Sequence, residues 1–310
     1  MFTDKLIERI VELRNHSIVG IDPHYSIIPD YIKRDLIRDN GDNIETKTEI
    51  LYTFSREIID NTYDIVPAVK PQIAFFERYG SWGLRALERV CSYAKRKGLF
   101  VIVDVKRGDI GSTCEAYSQY YLGDEEGSLS CDAITINPYL GKDSIDPFIE
   151  KCIKGEKGIF VLAKTSNKSS VDIQDKICDN KKIYEHVAEL IAQLGKGYEG
   201  ERGYNSIGAV VGGTFKEEGE KLRKTMKNSY FLVPGYGAQG GKAQDLTGYF
   251  NDDGLGSVIN SSRGIIGAYK SEKYRADYDE RSFGAAARRA AIDMRDDINR
   301  YLREAGKIAW

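Results

Sequence analysis

Leu99-Phe-Val-Ile-Val-Asp-Val-Lys-Arg-Gly-Asp-Ile-Gly-Ser-Thr113 decides the fold. Residues 99–105 form an apolar, β-branched run of strand length, broken by an acid near its far end. Beyond it, Ser112-Thr-Cys-Glu115 has the form of a capping box, so a helix is predicted to start there. The charged cluster therefore lies where a strand stops and a helix begins. Side chains alternate along a strand, which puts Asp104 and Lys106 on one side of the sheet and Asp109 in the turn. Val101, Val103 and Val105 alternate with Ile102, Asp104 and Lys106, so the charged face is expected to continue an interior one. Buried charges persist mainly when paired or functional. Flanking acids should favour the ammonium form of Lys106. That form suits a proton donor or cationic stabiliser and argues against a Schiff-base nucleophile.

The same signature repeats on both sides of this stretch. Upstream, Ser17-Ile-Val-Gly-Ile-Asp22 and Ile65-Val-Pro-Ala-Val-Lys70 are short strands that also end in charge. Downstream, residues 132–139, 158–167, 207–214, 230–237 and 257–264 read as five more strands. Apolar residues at helical spacing fill most of the connections. Leu6, Ile10 and Leu13 mark a lead-in helix, and Ile50, Leu51, Phe54 and Ile58 mark one before Asn61. Leu84, Leu87, Val90, Cys91 and Ala94 mark another, closed by Gly98. A short helix is expected over 144–153, a longer one over 183–194, and a closing helix over 283–302. Eight buried-type strands with helical spacers predict an α/β chain whose parallel strands close as a (β/α)8 TIM barrel, ahead of a doubly wound open sheet. No linker divides the chain, so residues 1–310 are expected to form a single domain. The glycine-rich stretch 195–203 reads as a mobile surface loop and not a phosphate cradle, because no strand feeds into it.

Composition narrows the function. A net charge of −2 over 310 residues gives no general attraction to nucleic acid or to an anionic membrane. No apolar run approaches the roughly 20 residues of a membrane span, and Met1-Phe-Thr-Asp-Lys5 lacks a signal-peptide core, so a cytoplasmic protein is expected. The five cysteines are widely spaced and lack any C-x-x-C, which argues against disulfides or zinc. His16, His24 and His186 have no metal-ligand spacing, and no metal site is expected.

Polar groups recur at the C-terminal strand ends: Asp22, Lys70, Asp104, Lys106, Asn137 and Ser166. In barrel enzymes that rim carries the active site. The last two strand ends differ in kind. Pro234-Gly-Tyr-Gly-Ala-Gln-Gly-Gly241 can turn backbone N–H groups at Gly235 and Gly237 towards an anion, with Gln239 as a further donor. Ser261-Ser-Arg263 adds a guanidinium that can grip phosphate, at the loops where this fold usually holds one.

Taken together these residues resemble the orotidine 5′-phosphate decarboxylase family, from Gly20-Ile-Asp-Pro-His24 to Ser261-Ser-Arg-Gly264. Asp104-x-Lys106-x-x-Asp109 with Lys70 is similar to that family's catalytic tetrad. Lys70-Pro-Gln-Ile-Ala-Phe-Phe-Glu77, Asn137-Pro-Tyr-Leu-Gly141 and the 234–241 loop resemble its longer-chain subgroup, found in many bacteria. The resemblance implies conversion of orotidine 5′-phosphate to uridine 5′-phosphate and CO2, the last step of pyrimidine biosynthesis, without a cofactor. It implies Lys106 as proton donor to C6 and Asp104 against the substrate carboxylate, with Lys70 and Asp109 completing an alternating charge array. It further implies ribose contacts from Asp22, Lys70, Thr113 and Asp109, the last supplied across a homodimer whose sites lie at the interface. Ser166 would meet the pyrimidine, and Gln239 and Arg263 the phosphate. Lys168 departs from the proline expected after Thr-Ser-Asn167. The alternative is a magnesium-dependent sugar-phosphate decarboxylase or aldolase sharing D-x-K-x-x-D, whose activity, unlike the one expected here, would vanish on chelation.

Overall fold

Neighbouring strands pair in parallel in a computed structural model that describes residues 1–237 and 240–310. They are β1 (Ser17–Ile21), β2 (Ala68–Pro71), β3 (Phe100–Arg107), β4 (Ala133–Ile136), β5 (Gly158–Lys164), β6 (Asn205–Val211), β7 (Ser229–Pro234) and β8 (Ser257–Ser261). Each lies beside the next in sequence, and β8 returns to β1 with Ser17 opposite Ile259, so the sheet closes into a barrel. This is the expected (β/α)8 architecture.

The period of two along each strand divides the core into two layers. Outward residues such as Val19, Val69, Val101, Val103 and Val161 pack beneath the helices. Inward residues Ile18, Ala68, Ile102, Ala133, Phe160, Tyr230 and Val258 fill the barrel. The helix Phe2–Leu13 seals the N-terminal end with Phe2, Leu6, Ile7 and Ile10. Two residues further along the strands, the inward layer becomes Lys70, Asp104, Thr135, Leu162, Leu232 and Asn260. The apolar filling stops there, and a cavity begins. On β1 the corresponding position is Gly20, where a Cβ would stand 1.9 Å from Ser262 Oγ; only glycine admits that approach.

Most connections follow the expected helices. Asn43 caps Ile44–Thr62 by accepting from the Thr46 N–H at 2.9 Å, and Gly98 follows Gly80–Arg96 at φ +80°. The closing helix is Phe283–Glu304. Several features differ from the sequence reading, among them an additional helix, Lys216–Thr225, between β6 and β7. The helix Asp30–Asn40 was not expected, because it lies in a polar stretch and its short apolar stripe, Tyr31, Ile32, Leu36 and Ile37, buries only Ile32 fully. The capping box at Ser112 does not form: the helix Gly111–Leu122 starts two residues earlier than that cap implies, with Ile110 at the cap and Asp109 Oδ1 accepting the Ile110 N–H at 2.8 Å. The stretch 195–203 lies on the surface, as expected, and is hydrogen-bonded to its surroundings. Arg202 N–H donates to Asp4 Oδ1 at 3.0 Å, and Gly200 N–H to the Tyr204 carbonyl at 2.8 Å, fastening it to the lead-in helix and away from the cavity.

His16, just before β1, is completely buried, with the rings of Phe250 and Trp310 centred 4.8 and 5.1 Å away. Burial pushes its pKa down to about 3, opposed only weakly by the Ser257 backbone. The folded protein thus holds His16 neutral while the unfolded chain protonates it near its ordinary value, so stability is full above about pH 6.5 and falls as pH drops towards 3. This group alone should remove roughly 1.6 kcal/mol between pH 6.5 and pH 5. Urea unfolding at the two pH values checks this, and a His16→Phe protein should show that much less pH dependence.

Candidate active site

The cavity at the C-terminal end of the barrel holds about 620 Å³. At its floor, Asp104 is 9% exposed and bridges two ammonium groups. Lys70 Nζ lies 2.7 Å from its Oδ2, and Lys106 Nζ 2.6 Å from its Oδ1. Gln72 Nε2 donates to Oδ2 at 2.9 Å and Thr135 Oγ1 to Oδ1 at 2.7 Å. Two donors on each oxygen use up the carboxylate's hydrogen-bonding capacity. Burial works to raise the Asp104 pKa, but Lys70 and Lys106 outweigh it and hold the carboxyl well below the usual carboxylate range. Asp104 is therefore a fixed negative charge, unsuited to act as a base. Burial equally disfavours the Lys70 ammonium, yet the facing carboxylates of Asp104 and Asp22 leave its pKa raised.

The two lysines are not equivalent. Lys70 is 6% exposed, whereas Lys106 is 47% exposed and can face a ligand. Lys106 also has a left-handed backbone, φ +48°, which costs a non-glycine residue roughly 1 kcal/mol. A bulge in β3 accompanies it: the pairing passes from Val103–Ile134 directly to Arg107–Ile136.

Of the remaining sequence candidates, Asp22, Ser166, Gly235 and Arg263 line the same cavity. Asp22 Oδ1 is buried with no hydrogen-bond partner among the described residues. Arg263 is exposed, and no ion pair or hydrogen bond engages its guanidinium among the described residues; β8, which leads to it, adjoins β7, and β7 is four strands from β3. Gly235 adopts φ +107°, which only glycine takes readily. Gly237 does not behave as expected: its N–H donates to the Gly241 carbonyl at 2.9 Å, so the turn spends that donor on itself. Gln239 lies outside the described residues. Asp109, Thr113 and Asn137 do not line this chain's cavity. They sit on the rim, with Asp109 half-buried and Thr113 and Asn137 exposed.

Against this geometry, the model of the orotidine 5′-phosphate decarboxylase / HUMPS family matches residues 18–276. The chain belongs to that family. An orotidine 5′-phosphate decarboxylase of Caldicellulosiruptor saccharolyticus is 44% identical over 292 residues, spanning 92% of this chain and 95% of its own. One from Clostridium perfringens strain SM101 is 42% identical over 303 residues, 97% of this chain and 99% of its own. The solved OMP decarboxylase of Leishmania donovani superposes with a TM-score of 0.72 at 31% identity, covering 97% of this chain and 98% of that one.

Sequence reasoning passed over three residues of this decarboxylase-family site. Gln72 and Thr135 hold Asp104, and Asn260 lines the cavity with a buried Oδ1 that has no hydrogen-bond partner among the described residues. Gln72 was visible in the Lys70-Pro-Gln motif, and all three stand at or just past strand ends. Their uncharged side chains carried no signal strong enough to single them out.

The triad's centre and its exposed arm should differ in energetic weight. Asp104→Ala leaves the Lys70 ammonium buried without its bridging partner and should cost about 3 kcal/mol or more. Lys106→Ala removes a half-exposed partner and leaves Asp104 three donors, for a loss under about 1 kcal/mol. Chemical unfolding of both variants checks this; equal losses would contradict it.

Proposed function

We propose that this chain decarboxylates orotidine 5′-phosphate to uridine 5′-phosphate by fixed-charge chemistry at the Lys70–Asp104–Lys106 triad. The observation that carries the reading is Asp104, ionised and saturated with donors beside an ammonium that faces the cavity. A substrate carboxylate placed against Asp104 meets a negative charge that cannot move away. The bond from C6 to the carboxylate breaks, CO2 leaves, and the electron pair stays on C6. Lys106 stabilises that charge and transfers its proton to C6, then recovers one from solvent. No other group need accept electrons, so the step balances without a cofactor. The magnesium-dependent alternative is not favoured, since relatives matched across nearly the whole chain carry the decarboxylase name.

Arg263 and the turn at Gly235 take the phosphate, remote from the reacting carbon, so that binding energy there supports the chemical step. Asp22, with acceptor capacity unspent, takes a ribose hydroxyl, and Ser166 meets the pyrimidine. Gln239 belongs to the same phosphate loop by sequence. The site is completed by a second copy of the chain. Asp109 and Thr113 share the rim with the exposed apolar side chains of Ile110, Tyr139 and Leu140. Covering that patch in a two-fold dimer carries Asp109 and Thr113 into the neighbouring cavity.

Lys106→Ala should abolish decarboxylation, followed by the loss of orotidylate absorbance, while affinity for uridine 5′-phosphate changes by less than about fivefold. Parallel loss of binding and turnover would make Lys106 a ligand-holding group instead.

Subunit sharing is tested by mixing. Lys106→Ala and Asp109→Ala proteins, each nearly inactive, are refolded together. A shared site gives each heterodimer one cavity with both lesions and one with none, so activity returns in proportion to heterodimer. Verified heterodimers that stay inactive would refute the arrangement.

A further inference from the structure

The bulge in β3 raises a hydrogen-bonding problem. Between the pairs Val103–Ile134 and Arg107–Ile136, three residues of β3 (104–106) stand opposite one residue of β4, Thr135. The ordinary ladder cannot serve all three backbone N–H groups, and a buried N–H without a partner costs about 1–3 kcal/mol. The Thr135 hydroxyl takes two of them. Its Oγ1 accepts from Val105 N–H at 3.0 Å and from Lys106 N–H at 2.9 Å. Its single proton then goes to Asp104 Oδ1 at 2.7 Å. One proton given and two lone pairs filled exhaust the hydroxyl. Thr135 is 1% exposed, so its three bonds are shielded from solvent.

We propose that Thr135 is a positioning residue for the decarboxylation, acting through Asp104 and Lys106 without touching the reacting atoms. Its two acceptor bonds hold Lys106 in the left-handed conformation that the bulge requires, and its donor bond sets the plane of the Asp104 carboxylate. One hydroxyl thus ties the proton donor's backbone to the fixed negative charge. This inference rests on the triad being the catalytic centre.

The side-chain chemistry dictates the test. Thr135→Val keeps the shape and removes the hydroxyl; Thr135→Ser keeps the hydroxyl and removes a methyl group. The wild type, both variants and a Thr135→Cys protein are assayed for kcat on orotidine 5′-phosphate and for dissociation of uridine 5′-phosphate. Thr135→Val should lower kcat at least about thirtyfold while the uridylate dissociation constant moves less than about threefold. Thr135→Ser should return kcat to within about fivefold of wild type. A structural role alone would lower the melting temperature and spare the kcat of the folded fraction. Wild-type kcat in Thr135→Val, or no recovery in a folded Thr135→Ser, would overturn the proposal. Should Thr135→Val not fold, the thiol of Thr135→Cys, a weak donor and acceptor, should give a kcat below that of Thr135→Ser; equal values would overturn it. An inactive wild type would instead refute the decarboxylase reading.

Discussion

Asp104 sits inside a barrel between two ammonium groups, and the site depends on that ion triad. Asp104 or Lys70 alone at this depth would cost several kcal/mol in lost hydration. Together, with Gln72 and Thr135 supplying the remaining donors, they persist as ions. The consequence is chemical as well as structural. A carboxylate with all its acceptor sites filled neither takes a proton readily nor turns aside, so a second carboxylate brought against it finds no relief. Preorganised charge of this kind needs no rearrangement at the moment of reaction.

The barrel makes such a triad possible by treating its two ends differently. At the N-terminal end the lead-in helix Phe2–Leu13 closes the interior with four apolar side chains. One inward layer further up, Lys70, Asp104, Thr135 and Asn260 replace aliphatic residues and the cavity opens. Because inward positions recur every second residue, the polar layer is the same register on strand after strand. On the remaining strands that layer includes Leu162, Val210 and Leu232, which give the cavity an apolar wall suited to a flat ring. Past the end of β8, Arg263 has no anionic partner among the described residues, whereas Lys70 and Lys106 each face Asp104.

Much of this is written locally in the chain. The alternation Val101, Val103, Val105 against Ile102, Asp104, Lys106 is enough to place the charged face inward, because the period of a strand is a backbone property and needs no partner. The same holds for the eight apolar runs, for the lead-in and closing helices, and for Gly98 after its helix. Where a local signal was weak or misleading, the expectation failed for a local reason: the apolar stripe of Asp30–Asn40 is short and set among charged residues, and Ser112 lies inside its helix, past the position from which a side chain can cap.

Tertiary structure alone decided which groups meet. That Gln72 and Thr135 complete Asp104 follows from the pairing of β2 with β3 and β3 with β4, and no spacing within one strand encodes it. The left-handed Lys106 exists because β3 carries three residues against one of β4, a mismatch visible only once the two strands are side by side. Likewise Gly237 turns its N–H back on Gly241, and Asp109 and Thr113 stay on the rim of their own chain. Periodicity determines which way a side chain points; hydrogen bonds between distant segments determine what it finds there.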